Sequence, residues 1–119
     1  MHYLYIMSMM QVNLMHIFLV GPLLWTVGDD APNTANWKYN ALGAATLMIP
    51  FIVRLPGLAM TKLNVINWFH YLIFFSLFLY VSYYKNKTNI YILRLVKLLG
   101  IAVVLIHSYL LMQRLRGLR

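Results

Sequence analysis

A chain of 119 residues that is 62% hydrophobic and only 10% charged cannot cover a water-facing surface with ions of its own, since an average soluble domain carries about a quarter charged residues. Ten Lys and Arg stand against only Asp29 and Asp30, for a formal net charge of +8. The cations are scattered between apolar runs, which argues for headgroup anchoring and against a phosphate-binding nucleic-acid surface. Cysteine is absent, which excludes disulfides, thiolate metal sites and a thiol nucleophile.

Roughly 20 apolar residues cross a bilayer core, and the breaks in this chain divide it into four such candidates, at about 4–27, 38–53, 63–84 and 91–112. The first run is interrupted by Ser8, Gln11, Asn13 and His16 and closes at Gly28-Asp29-Asp30-Ala31-Pro32-Asn33, a cluster of residues that favour non-helical backbone. Gly21-Pro22 inside it is expected to kink the helix, because proline removes a backbone donor. With no basic residue ahead of the apolar run, the first span is expected to be retained rather than cleaved as a signal.

The second run, to Val53, is short even with Trp37 and Lys38 counted as interfacial anchors, and it stops at Arg54-Leu55-Pro56-Gly57. The third carries no charge from Leu63 to Tyr84 and ends at Lys85-Asn86-Lys87-Thr88-Asn89. Asn86-Lys87-Thr88 is formally a glycosylation sequon, set in a tight loop at the membrane. The fourth has Arg94 and Lys97 in its opening turns, where long side chains reach back to the interface, and it closes on a basic tail with Arg114, Arg116 and Arg119. These three arginines are the predicted contacts to lipid or partners. Four crossings put both termini on one side. The cations then divide five against five, Arg54, Lys62, Arg114, Arg116 and Arg119 opposing Lys38, Lys85, Lys87, Arg94 and Lys97, so the positive-inside rule gives no orientation.

An internal repeat runs through this pattern. Asn13-Leu14-Met15-His16 near the start of the first span matches Asn67-Trp68-Phe69-His70 in the third, and Leu42-Gly43 before Ile49-Pro50 matches Leu99-Gly100 before Ile106-His107. The expected fold is an all-α bundle of four transmembrane helices in one domain. The repeat raises the option of two duplicated helical hairpins, in parallel about an axis along the membrane normal. Asn13, His16, Asn67, His70 and His107 are then expected to hydrogen-bond between helices, with Gly43 and Gly100 allowing close backbone approach.

His70 and His107 should share a layer inside the membrane, with His16 near it. Intramembrane ionisable residues are functional candidates by default. The alternative to helix packing is a haem or metal site on His16, His70 and His107, because imidazole is a common ligand and facing helices supply it in pairs. Proton passage lacks an intramembrane carboxylate, both acids lying in one loop. Thr26-Val27-Gly28-Asp29 resembles part of a potassium filter but lacks the aromatic-Gly continuation. The Tyr and Trp residues near span ends, Trp37, Tyr39, Tyr83, Tyr84 and Tyr91 among them, read as interfacial belts. No paired carboxylates, Ser-His-Asp set, phosphate loop or HExxH motif is present, so no enzyme activity and no resident cofactor are expected.

The stretch His16-Ile17-Phe18-Leu19-Val20-Gly21-Pro22-Leu23-Leu24, with the later Leu-Gly span and His107-Ser108-Tyr109, resembles small multi-pass membrane proteins of large DNA viruses of algae and protists. The resemblance implies residence in a virion's internal membrane beneath the capsid, as a minor capsid component or an anchor for one. Pro50, standing where the second repeat has His107, departs from a paired-histidine arrangement. Two functions follow as expectations. One is a structural component whose partners are the lipid bilayer and other membrane or capsid proteins. The other is a small subunit of a respiratory or redox complex, as in the mitochondrial inner membrane, with histidines at a haem or quinone site.

Overall fold

A computed structural model describes residues 8–117, and every regular element among them is helical. Helix α1 (Met9–Asp29) starts from a capping box. The Ser8 hydroxyl accepts from the Gln11 amide at 3.2 Å, and the Gln11 side chain accepts from the Ser8 amide at 2.9 Å, so two backbone donors with no helical partner are satisfied. α1 ends in the Gly-Asp-Asp turn, as expected. α2 (Asn36–Leu47) and the one-turn α3 (Ile49–Ile52) are separated at Met48. Pro50 has no N–H to return to the carbonyl four residues back, which is why the helix does not run on unbroken.

After an irregular stretch over 53–61, α4 (Lys62–Lys87) opens on Thr61, whose hydroxyl accepts from the Asn64 amide at 3.2 Å. α5 (Ile90–Gly117) is 28 residues long. The irregular stretch is pinned along the first turns of α4. Tyr71 donates to the Val53 carbonyl at 2.7 Å, the Trp68 indole to the Gly57 carbonyl at 3.0 Å, and Asn64 both accepts from the Gly57 amide and donates to the Ala59 carbonyl.

Three helices, α1, α4 and α5, are long and apolar enough to cross a membrane. The expected second span falls short of that length: its helical part, α2 plus α3, extends about 25 Å at 1.5 Å per residue, against a hydrocarbon core of about 30 Å. The chain otherwise runs up and down as read, with α1 packed against α5 and α2 against α4. The buried core joins Leu24 and Val27 of α1, Tyr39 and Leu42 of α2, Phe78 and Val81 of α4, and Leu93 and Val96 of α5.

Glycine sets the closest contacts. A Cβ on Gly100 would stand 2.6 Å from the Trp25 amide nitrogen and 2.7 Å from the Gly21 carbonyl oxygen, so α1 and α5 touch backbone to backbone. Gly43 abuts Ser82, whose hydroxyl donates to the Tyr39 carbonyl at 2.9 Å. Gly43 is buried as expected, while the neighbouring Ala44 and Ala45 are exposed. Between helices in lipid such close approach stands in for the hydrophobic force that operates in water.

The two halves share several buried positions. Leu24 and Phe78 are buried at equivalent places, as are Val27 and Val81, Tyr39 and Val96, and Gly43 and Gly100. Each long first helix of a half also contains one π-helical turn, His16–Val20 in α1 and His70–Phe74 in α4, beginning at the repeated histidine.

Candidate functional site

The π turns position the histidines. In each, the histidine carbonyl accepts from an amide five residues on, Gly21 for His16 and Phe75 for His70. Proline at position 22 withholds one donor in α1, but α4 has Ser76 there and makes the same turn, so proline is not the common cause. What the two share is the Asn-x-x-His sequence and a ring that folds back on its own helix. His16 Nδ1 bonds the Val12 carbonyl at 2.7 Å and His70 Nδ1 the Ile66 carbonyl at 2.9 Å. The Gly21-Pro22 step, the site of the expected kink, follows directly on this local widening of the helix.

The three histidines meet. His16 stacks on His107, with ring centroids 4.1 Å apart and planes inclined by 19°, and presents its edge to His70 at 6.4 Å. His70 in turn stands edge-on to Phe74 at 5.2 Å. His107 Nδ1 bonds the Asn13 side-chain oxygen at 2.8 Å across the α1–α5 seam. Carbonyl oxygens only accept, so each of the three Nδ1 atoms carries the hydrogen, and each Nε2 is the acceptor nitrogen. The layer lies about 10–15 Å inside the ends of α1, α4 and α5 at 1.5 Å per residue.

Of the predicted packing residues, Asn13, His16, His70 and His107 are brought into this one cluster. Asn67 is buried at the position in α4 that Asn13 holds in α1. Gly43 and Gly100 belong to the helix seams. Pro50, which the repeat aligns with His107, supplies no imidazole, and the layer has three. Arg114 and Arg116 are exposed on the last turns of α5; Arg119 lies outside the described residues.

Chemically the cluster is an acceptor. With all three Nδ1 hydrogens donated to oxygen, each Nε2 is the nitrogen left open to accept a hydrogen. Bis-imidazole ligation of a haem would need a flat macrocycle between two rings, whereas His16 and His107 are in van der Waals contact with each other. Among the described residues no three His, Cys, Asp or Glu side chains are spaced to hold a metal ion. Comparison with protein families, characterised proteins and solved structures found no match to this chain.

A second polar cluster, not anticipated from the sequence, ties the opposite end. Asn86 accepts from the Thr34 amide at 3.2 Å, donates to the Thr34 carbonyl at 2.9 Å and accepts from the Tyr39 hydroxyl at 2.7 Å. Thr34 caps this with a 2.7 Å bond to the Val27 carbonyl. The sequon asparagine therefore clamps the two loops of this end, and its amide nitrogen is committed. Tyr39, grouped by sequence with the interfacial aromatics, is instead fully buried because its hydroxyl has this partner, while Trp37, Tyr83 and Tyr91 are exposed.

The acids of the first loop also have partners. Asp29 accepts from Lys97 at 2.8 Å, and Asp30 pairs with Lys38, whose ammonium also bonds Thr26. Hydrogen bonding to Lys38 holds the Asp30 carboxyl below the usual carboxylate range. Nothing in the spacing of Asp30 and Lys38, or of Asp29 and Lys97, marked these pairs. Only the scarcity of acids among so many cations pointed that way.

Proposed function

We propose that this protein is a structural, non-enzymatic multi-pass component of a larger membrane assembly. The observation that carries the reading is the apolar flank left over by the fold. Only 22, 17 and 11% of the most apolar windows of α1, α4 and α5 is buried inside the chain, so lipid or neighbouring helices must cover the rest. In this reading the chain is a duplicated helical hairpin, and α2 with α3 completes a fourth crossing by drawing the interface inward at Val53. The basic end, with Arg114 and Arg116, meets anionic lipid headgroups or an assembly partner. The viral resemblance extends the proposal to a virion's internal membrane, with capsid proteins as partners.

The test is in two parts. Because the chain has no cysteine, single cysteines at Asn33, Ala59, Asn89 and Gln113 report sidedness directly in intact membranes. Four crossings expose Asn33 and Asn89 on one side and Ala59 and Gln113 on the other; labelling of Ala59 from the same side as Asn33 overturns the topology. Native electrophoresis after gentle detergent extraction then reads assembly. A stable species well above the 13.9 kDa chain with other subunits is expected, and a lone chain in lipid refutes the structural role.

A further inference from the structure

We propose that the His16–His70–His107 layer is a proton-binding latch on the α1–α5 seam, closed when the imidazoles are neutral and opened when acid charges them. Three observations combine. First, the rings that hold this half of the seam, His16 on α1 and His107 on α5, stack at 4.1 Å, a contact available to neutral rings and repulsive between two charged ones. Second, each Nδ1 hydrogen is already donated, to Val12, Ile66 and Asn13, so an added proton enters at Nε2 without first breaking a hydrogen bond. Third, among the described residues no acidic side chain lies near the layer to compensate a charge.

Among the described residues, the ionisable side chains packed against His16 are the other imidazoles of the layer, His107 and His70. On α1, Asp29 is more than three turns away and bound to Lys97 of α5. On α5, Arg114 and Arg116 lie about two turns further along, and on α4 Lys62 lies about two turns before His70; each of these adds positive charge, not relief. On α2, Lys38 is paired with Asp30 at the far end, and α3 carries no ionisable group. A charged His16–His107 pair therefore separates rather than finding a counter-ion.

The π turn in α1 supplies the hinge. It begins at His16 and separates Met9–Met15, which carries Asn13, from Gly21–Asp29, which is locked to α5 at Gly100. The first two turns of α1 swing out while the glycine contact stays closed. An imidazole in water titrates near 6.5, and a proton bound preferentially by the open form changes the open-to-closed ratio by up to about tenfold per pH unit below that point. With His16 and His107 both taking part, the change is up to about a hundredfold per unit.

Spin labels on cysteines replacing Leu14 and Ile106, both exposed and level with the layer, measure the seam in lipid nanodiscs by electron-spin distance. A second pair, replacing Leu19 and Ile101, spans the same two helices on the glycine side. From pH 7.5 to pH 5 the first distance is expected to lengthen with a slope of about two protons, and the second to stay constant. Replacement of both His16 and His107 by Gln, which keeps hydrogen bonding but takes no proton, abolishes the change. Should that double variant fold poorly, His107→Gln alone halves the slope, and nitrogen NMR of the unaltered protein reads Nε2 protonation directly. A constant Leu14–Ile106 distance, an equal change in the Gln variants, or Nε2 atoms still unprotonated at pH 5 overturns the latch.

Discussion

Replacing Gly100 by Ala tests the architecture at its tightest point. The new methyl carbon would stand 2.6 Å from the Trp25 nitrogen, 2.7 Å from the Gly21 oxygen and 3.0 Å from the Leu24 Cβ, where ordinary contact begins at 3.4 Å. Two of the three obstacles are main chain, so no rotamer change relieves them, and α1 and α5 must part by roughly 0.7–0.8 Å along their contact. Overpacking of this kind costs about 1–3 kcal/mol, while exchanging Gly for Ala in a helix returns about 1 kcal/mol. With backbone on two sides the upper part of the range applies, for a net loss of about 1–2 kcal/mol. Gly117→Ala is the internal control, because nothing lies within 4 Å of its added carbon; it should be neutral or gain a few tenths of a kcal/mol. Helicity followed by circular dichroism during SDS titration of the micelle-bound protein measures both. Equal stability of the two variants would refute the backbone contact between α1 and α5, and with it the pairing of helices described above.

Asn86→Ala removes the partner of the buried Tyr39 hydroxyl and should cost about 1–3 kcal/mol in the same titration. Adding Tyr39→Phe should recover part of that loss, since the orphaned hydroxyl goes with it, and strict additivity would count against the clamp. Expression in a glycosylating host should give a single unmodified band, because the Asn86 amide is engaged with Thr34. Asp30 supplies a pH test. Its carboxyl is held low by Lys38, so the pair's contribution is present above the usual carboxylate range and fades as pH falls through the lowered folded value. Asp30→Asn should therefore differ from the parent at neutral pH and converge with it in strong acid; a difference that grows with acidification contradicts the pairing. The group is solvent-exposed, so the separation will be small.

Much of this molecule could be read before it was seen. The uncharged run from Leu63 to Tyr84 and the breaker clusters at Gly28, Arg54 and Lys85 placed the long helices and their ends, because hydropathy and turn chemistry act locally. The positions of the histidines along their spans foretold that His70 and His107 would share a layer with His16 near it, since helical rise converts sequence position into depth. They did not foretell the π turns, which depend on a ring bonding back to its own helix, nor the stacking of His16 on His107, which depends on which helices become neighbours. Tyr39 was misplaced for a similar reason: an aromatic near a span end reads as interfacial until a distant asparagine supplies a partner for its hydroxyl. The shortness of α2 and α3 was visible in the run to Val53, but the break at Met48 follows from Pro50 acting one turn earlier.

The two aspartates have an effect that reaches past their own loop. Both acids are spent on Lys38 and Lys97, at the same end of the molecule. Where the four-span reading of the sequence divides the cations evenly between two ends, the folded chain pairs two of the five at this end and, among the described residues, leaves Lys85, Lys87 and Arg94 there, and Arg54, Lys62, Arg114 and Arg116 elsewhere, without an acidic partner. Each aspartate instead ties a cation of another helix to the end of α1, Lys38 of α2 and Lys97 of α5, so the chain's scarce negative charge works as a fastener among three helices and leaves its net positive charge to be met from outside.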